Sequence, residues 1–315
     1  MRYLVTGGAG FIGNALALRL LALGHSVVVV DNFNDYYEVG LKEARVARLP
    51  KEVPVIRLSI TAAAALDEVF AAHKFDAVCH LAAQAGVRYS LDHPAEYIDS
   101  NYLGTFTLLE AMRKHDVKWF VFASTSSVYG EEKEVPFVET SAADRPVSLY
   151  AATKRAGELL AHTYYHLHGF KVTNLRFFTV YGPWGRPDMA IYTFTDKILR
   201  GEPITLYNNG QMHRDFTYIV DIVEGIVAAL AHAANFATYN LGRGQSIPLM
   251  DFVQAIEIAT GKEAQIEYAP LQPGDVTQTY ADISAATRDL GYTPKTSVVT
   301  GVAEYVNWFR EYYQR

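Results

Sequence analysis

Two groups of residues in this chain are spaced for chemistry. The first is Gly7-Gly8-Ala9-Gly10-Phe11-Ile12-Gly13, where Gly7, Gly10 and Gly13 stand three apart between an apolar segment and a helical pattern. Glycines at such a turn let the backbone bend tightly and approach a pyrophosphate. The helix behind them offers unpaired N–H groups and a partial positive charge. Asp31 closes the next apolar segment, 18 residues beyond Gly13. A carboxylate there accepts from ribose hydroxyls and repels a 2′-phosphate, which favours NAD over NADP. The second group is Tyr150-Ala151-Ala152-Thr153-Lys154, which sets a phenol and an ammonium side by side on one helix face. Tyrosine ordinarily ionises at about pH 10. A neighbouring ammonium and a positive nicotinamide ring both favour its phenolate. That phenolate can take a hydroxyl proton while hydride leaves the same carbon. Ser124-Thr125-Ser126-Ser127 ends the preceding apolar segment, so the Thr125 hydroxyl can bond the reacting oxygen.

These residues need a scaffold, and the hydrophobic pattern supplies one. Apolar segments at 2–5, 26–30, 53–58, 77–81, 118–123 and 172–177 lack polar alternation, so they read as strands covered on both faces. Helical patterns fall between them at 11–23, 38–49, 62–74, 94–115 (opening on Pro94) and 148–168. The alternation predicts an α/β fold, a Rossmann-like doubly wound parallel sheet. Past residue 178 Gly and Pro become frequent, and helical patterns recur at 189–200, 220–234, 249–260 and 301–313. We expect a dinucleotide-binding domain over 1–178. A smaller C-terminal α/β substrate-binding domain should occupy 179–315, with about 213–245 returning to the first.

Composition narrows the function. The net charge of −6 argues against a nucleic-acid surface. The single cysteine, Cys79, excludes an intramolecular disulfide and a cysteine metal cluster. His162 and His166 are four apart, but no third ligand is specified, so no metal is expected. No apolar run approaches the roughly 20 residues that span a bilayer. Nor does the N-terminus read as a leader, so a cytoplasmic protein without a membrane partner is expected. The 21 tyrosines and 16 phenylalanines are too many for one site. Most should fill cores or join subunits.

The glycine loop, 123–130, 150–154 and 176–182 together resemble the extended short-chain dehydrogenase/reductase superfamily, over almost the whole chain. The resemblance implies about seven strands, tightly held NAD and a nucleotide-sugar substrate. It implies cofactor contacts from Gly7, Gly10, Phe11, Ile12 and Gly13, from Asp31 and Asn32, and from Ile60. Leu81, Ala82 and Ala83, and then Tyr150 and Lys154, complete that set. Lys154 would hold the nicotinamide ribose and lower the pKa of Tyr150. It further implies pairing of helices 94–115 and 148–168, with Tyr97, Tyr102, Phe106, Tyr164 and Tyr165, in a homodimer.

Within the superfamily the neighbours of Tyr150 discriminate. Nucleotide-sugar 4,6-dehydratases carry Asp-Glu before Val-Tyr-Gly, and UDP-glucuronate decarboxylases carry Glu at the second position. Here Ser126-Ser127 stand there. Epimerases need no such acid, because they oxidise C4, turn the 4-keto sugar and return hydride to its other face. UDP-galactose 4-epimerases have Asn where Thr179 follows Phe178, and Arg where Gln272 precedes Pro273-Gly274-Asp275. Both departures resemble UDP-glucuronate 4-epimerases. So do Asp31-Asn32-Phe33-Asn34-Asp35-Tyr36-Tyr37, Gln84-Ala85-Gly86-Val87-Arg88 and Gly182-Pro183-Trp184-Gly185-Arg186-Pro187-Asp188-Met189.

The uronate carboxylate suits hydroxyls and a guanidinium, and Thr125, Ser126, Ser127, Thr179 and Arg186 supply both. The lesser alternative for Arg186 is a surface charge in a Pro/Gly loop. The resemblance gives Arg214 the UDP diphosphate, Asp275 the uridine ribose and Gln272 a place beside the substrate. Arg88 reaches substrate or makes a structural salt bridge. Tyr207 stacks on uracil or is a core aromatic. The expected function is UDP-glucuronate 4-epimerisation. A UDP-glucose/UDP-galactose or dual-specificity 4-epimerase is the alternative, followed by a decarboxylase and a non-catalytic NAD sensor.

Overall fold

The apolar segments become β1 (Arg2–Thr6), β2 (Ser26–Asp31), β3 (Val55–Arg57), β4 (Ala77–His80), β5 (Trp119–Thr125) and β6 (Lys171–Phe177). A seventh strand, β7 (Phe236–Leu241), comes from the later part of the chain. The computed structural model describes residues 1–232, 234–271 and 276–315. The sheet order is β7-β6-β5-β4-β1-β2-β3, and every neighbouring pair is parallel. One apolar cluster packs on each face. Leu16, Leu20 and Ile226 lie over one side; Leu66, Leu108 and Ala161 lie over the other. Both faces are covered, which is why the strands lack alternation. The order reverses between β1 and β4. Their following loops diverge there and open a crevice at the carboxyl ends of the strands.

A third apolar cluster stands apart from the sheet, between the helices Ala190–Arg200, Leu249–Thr260 and Val298–Tyr313. Here many of the aromatics find their use. Phe216 and Phe252 stack with centroids 3.9 Å apart, and Trp308 stacks on Tyr312. Short strand pairs tie this region together. Thr179–Tyr181 runs parallel to Phe216–Tyr218, and His213–Arg214 antiparallel to Ile247–Pro248. Among the described residues no helix is long and apolar enough to cross a membrane.

The structure departs from the expected pattern in several elements. The third strand shrinks to three residues, because Pro54 has no N–H to give the ladder. The single helix expected at 94–115 is broken into Pro94–Tyr97, a π-helical turn over Ile98–Leu103, and Gly104–Lys114. The turn forms around Asn101, whose side-chain amide donates to the Gln84 carbonyl and Thr153 Oγ1 while its oxygen accepts from Gln84 N–H. Such π turns recur at functional sites. The helix Ser284–Leu290 and the pair Ile204–Tyr207 with Ile266–Ala269 were not expected.

Candidate active site

β1 runs directly into the glycine loop. Gly7 takes φ +71°, and a Cβ on Gly13 would lie 2.2 Å from the Gly7 carbonyl oxygen. The helix Phe11–Ala22 behind the loop has no side-chain cap and no acidic residue in its first turn. Its leading N–H groups and positive end are left for an anion. Asp31 Oδ2 accepts from Ala9 N–H at 3.0 Å and Oδ1 from Phe33 N–H at 2.8 Å. Each oxygen keeps a further lone pair for a ribose hydroxyl. This donor set fits a dinucleotide: N–H groups for the pyrophosphate and a carboxylate for the ribose.

Thr125 is the last residue of β5. Its Oγ1 accepts from Ser127 N–H at 3.2 Å, which starts the short 3-10 turn Ser126–Tyr129. Tyr150 opens the helix Leu149–His168, which is capped by the Ser148 hydroxyl. Burial raises the Tyr150 pKa. The Arg186 guanidinium and a hydrogen bond with Thr125 pull it back down, and Asp188 opposes them. The cation acting most on the phenol is thus Arg186, where the sequence pointed to Lys154. Lys154 is buried with Nζ 4.4 Å from the centre of the Phe122 ring. Burial pushes its pKa down to about 7, with Glu158 opposing.

The buried ammonium costs stability. The unfolded chain holds this proton to about pH 10.5, and the folded chain releases it near 7. The penalty is therefore full below pH 7 and shrinks as pH rises towards 10.5. Lys154→Met should stabilise the fold by about 1–2 kcal/mol near pH 6, and by less at pH 9, while activity is lost. Urea unfolding at the two pH values measures this; equal gains at both would refute it.

The sugar side of the crevice comes from distant segments. Ser126, Ser127, Thr179, Arg186, Arg88 and Arg214 line the same cleft of about 870 Å³ as Tyr150 and Lys154. The cleft also takes in Gly7, Gly10, Phe11, Ile12, Gly13, Asp31, Asn32, Ile60, Leu81, Ala82 and Ala83. Arg186 is not a loose surface charge. Its Nε and Nη2 hold Asp188 at 2.9 and 2.7 Å. Arg214 Nη1 donates to the His213 carbonyl at 2.9 Å. The Arg88 guanidinium lies 4.9 Å from the centre of the Tyr207 ring, so Tyr207 faces the cleft while Leu206 enters the core. Gln272 and Asp275 lie outside the described residues.

The whole arrangement, from β1 to β7, matches a known pattern. The model of the NAD dependent epimerase/dehydratase family aligns with residues 3–242. The chain belongs to that family. Among its relatives, UDP-glucuronate 4-epimerase 3 of Arabidopsis thaliana is 45% identical over 329 residues, covering 98% of this chain and 76% of the other. The UDP-glucuronic acid 4-epimerase from Bacillus cereus, solved in complex with UDP-glucuronic acid and NAD, superposes with TM-score 0.92. It is 36% identical, over 99% of this chain and 100% of the other. The UDP-glucose 4-epimerase of Thermotoga maritima, solved with UDP-glucose, gives TM-score 0.91 and 32% identity, again over 99% and 100%.

Several residues of this epimerase/dehydratase site escape sequence reasoning. Arg45 is fully buried, and its guanidinium donates to the carbonyls of Ala9, Trp184 and Gly185 and to the Tyr37 hydroxyl. It joins the glycine loop to the loop carrying Arg186. His80 is buried at the end of β4, between Thr6 and Thr105. Thr105 spends its hydroxyl proton on the Asn101 carbonyl, so it accepts from His80 Nε2–H. Nδ1 then accepts from Thr6, and His80 is neutral; burial holds its pKa well below the usual value. Tyr36 and Asp188, unlike those two, line the cleft itself. A signal existed only for the last two, which fall inside the motifs 31–37 and 182–189.

Proposed function

We propose that this chain interconverts UDP-glucuronate and UDP-galacturonate with bound NAD. The observation that carries the reading is one cleft in which Tyr150 stands with three hydroxyls, Thr179 and Arg186, and with serine at both 126 and 127. NAD supplies the hydride acceptor and donor for C4. Tyr150 takes the O4 proton and later returns it, and Thr125 bonds O4. Lys154 holds the nicotinamide ribose. Arg214, with its fork of donors, anchors the diphosphate while the sugar turns. Incubation with UDP-glucuronate and UDP-glucose in parallel, with products separated, tests the reading. UDP-galacturonate is expected; UDP-galactose alone would favour the second reading, which the likeness to UDP-glucose 4-epimerases supports.

A 4-keto uronate is a β-keto acid and can lose CO₂. Binding the carboxylate through Thr179 and Arg186 keeps the C5–C6 bond near the keto plane and suppresses that loss. Thr179→Ala or Arg186→Ala should raise UDP-pentose by-product or weaken UDP-glucuronate binding by about tenfold, the worth of one charge-assisted contact. Unchanged product ratios with unchanged affinity would refute the clamp.

The dimer belongs to the same proposal. Ile98, Leu103, Phe106, Leu159 and Leu167 are between 43% and 64% exposed on the two helical segments that relatives are expected to pair. Tyr97 and Tyr164, by contrast, are buried core residues. Sedimentation should give a species of twice 35 kDa at micromolar concentration; a single 35 kDa species would overturn it.

A further inference from the structure

Arg186 already grips a carboxylate in this structure, and that carboxylate is the protein's own. The two side chains form a fork: Nε to Asp188 Oδ1 at 2.9 Å and Nη2 to Oδ2 at 2.7 Å. The Tyr36 hydroxyl donates to the same Oδ2 at 3.0 Å. All three residues line the cleft with Tyr150. The backbone around them is held. Arg45 binds the Trp184 and Gly185 carbonyls just before Arg186, and the helix Ala190–Arg200 begins just after Asp188. Any exchange of partners here is therefore an exchange of side chains, without movement of the loop.

We propose that Asp188 is a stand-in carboxylate that releases Arg186 to the substrate's C5 carboxylate and takes it back while the 4-keto sugar turns. The inference rests on the uronate reading above. One guanidinium fork grips one carboxylate at a time in bidentate fashion. A uronate that kept the fork throughout would resist turning, so the fork opens only between the two reacting poses, and Thr179 keeps hold of the carboxylate near the keto plane during that exchange. One that met an empty fork would bind too tightly to let go. Asp188 balances the charge of Arg186 in the empty site, and Tyr36 gives Asp188 a donor once Arg186 has left. Asp188 is thus a positioning residue, and Tyr36 supports it. A neutral hexose makes no claim on the fork and is indifferent to the exchange.

The test is a split between binding and turnover in two variants. Asp188→Asn removes the competing charge. Its Kd for UDP-glucuronate should fall about tenfold, the worth of one charge-assisted contact, while kcat falls by a similar factor. Its Kd for UDP-glucose should change by less than about twofold, because no charged group there is exchanged. Tyr36→Phe should act oppositely on the acid, raising its Kd about threefold to tenfold, because Asp188 then loses its donor when Arg186 leaves. Calorimetry with each UDP-sugar reads the affinities, and product analysis reads kcat. If wild type epimerises UDP-glucuronate but Asp188→Asn binds it no tighter, or both variants weaken it alike, the exchange is overturned alone. If wild type does not act on UDP-glucuronate, the uronate reading falls and the exchange with it.

Discussion

Tyr150→Phe is expected to lower kcat by about 10²–10⁴-fold while leaving the fold, the bound NAD and the affinity for UDP-sugar in place. The substitution removes only the hydroxyl. The ring keeps its edge-on contact with Tyr97, with centroids 6.1 Å apart. Among the described residues beside Tyr150 no other side chain is placed to replace the lost base. Arg186 is a donor, and Lys154, although burial lowers its pKa, lies with Nζ against the Phe122 ring. Asp188 lies against Arg186 and accepts from Tyr36, and Arg186 holds its pKa low even though burial would raise it, which makes it a weak base. Thr125 and Ser127 are hydroxyls that ordinarily do not ionise. Turnover measured by separation of UDP-glucuronate and UDP-galacturonate, beside calorimetric binding, checks this. A loss smaller than tenfold would mean that another group moves the proton.

The largest effect on stability should come from Glu158. It lies two turns beyond Tyr150 and one beyond Lys154 on the same helix face, and it is buried. Arg176 on β6 forks onto it at 2.9 and 2.8 Å, Ser124 donates to it at 2.5 Å, and Arg155 adds a second cation at 2.7 Å. Burial alone would raise the Glu158 pKa, but the Arg176 fork more than reverses this and keeps it low. Glu158→Ala would strand the buried Arg176 charge and should cost about 3–5 kcal/mol in urea unfolding. Arg155 is partly exposed and can turn to water; Arg176 is sealed against Tyr129, 4.9 Å from its ring centre. The double variant Glu158→Leu with Arg176→Met should recover most of that loss, because no buried charge remains. If the double variant is as unstable as the single one, the cost lies in packing and not in charge.

The sequence alone was sufficient for whatever is local. The strands were legible because segments such as Val27–Val30 must be apolar on both faces. The glycine loop was legible because its geometry forbids a Cβ at Gly13 whatever surrounds it. Tyr150 and Lys154 were legible because a helix brings i and i+4 together without help. The helix over 94–115 departed where a tertiary demand intervened, around Asn101, whereas the shorter third strand follows from Pro54, a local cue already present in the sequence. Tertiary structure alone decided which distant groups became partners. Arg45 reaches across 139 residues to Trp184, Arg176 meets Glu158 across two elements, and His80 takes its tautomer from Thr6 and Thr105. Nothing in periodicity marks such pairs, since sheet order and helix packing bring them together. The same holds for the cleft itself. Thr179, Arg186 and Arg214, from separate later segments, line one cleft with Tyr150 only because the fold gathers them there.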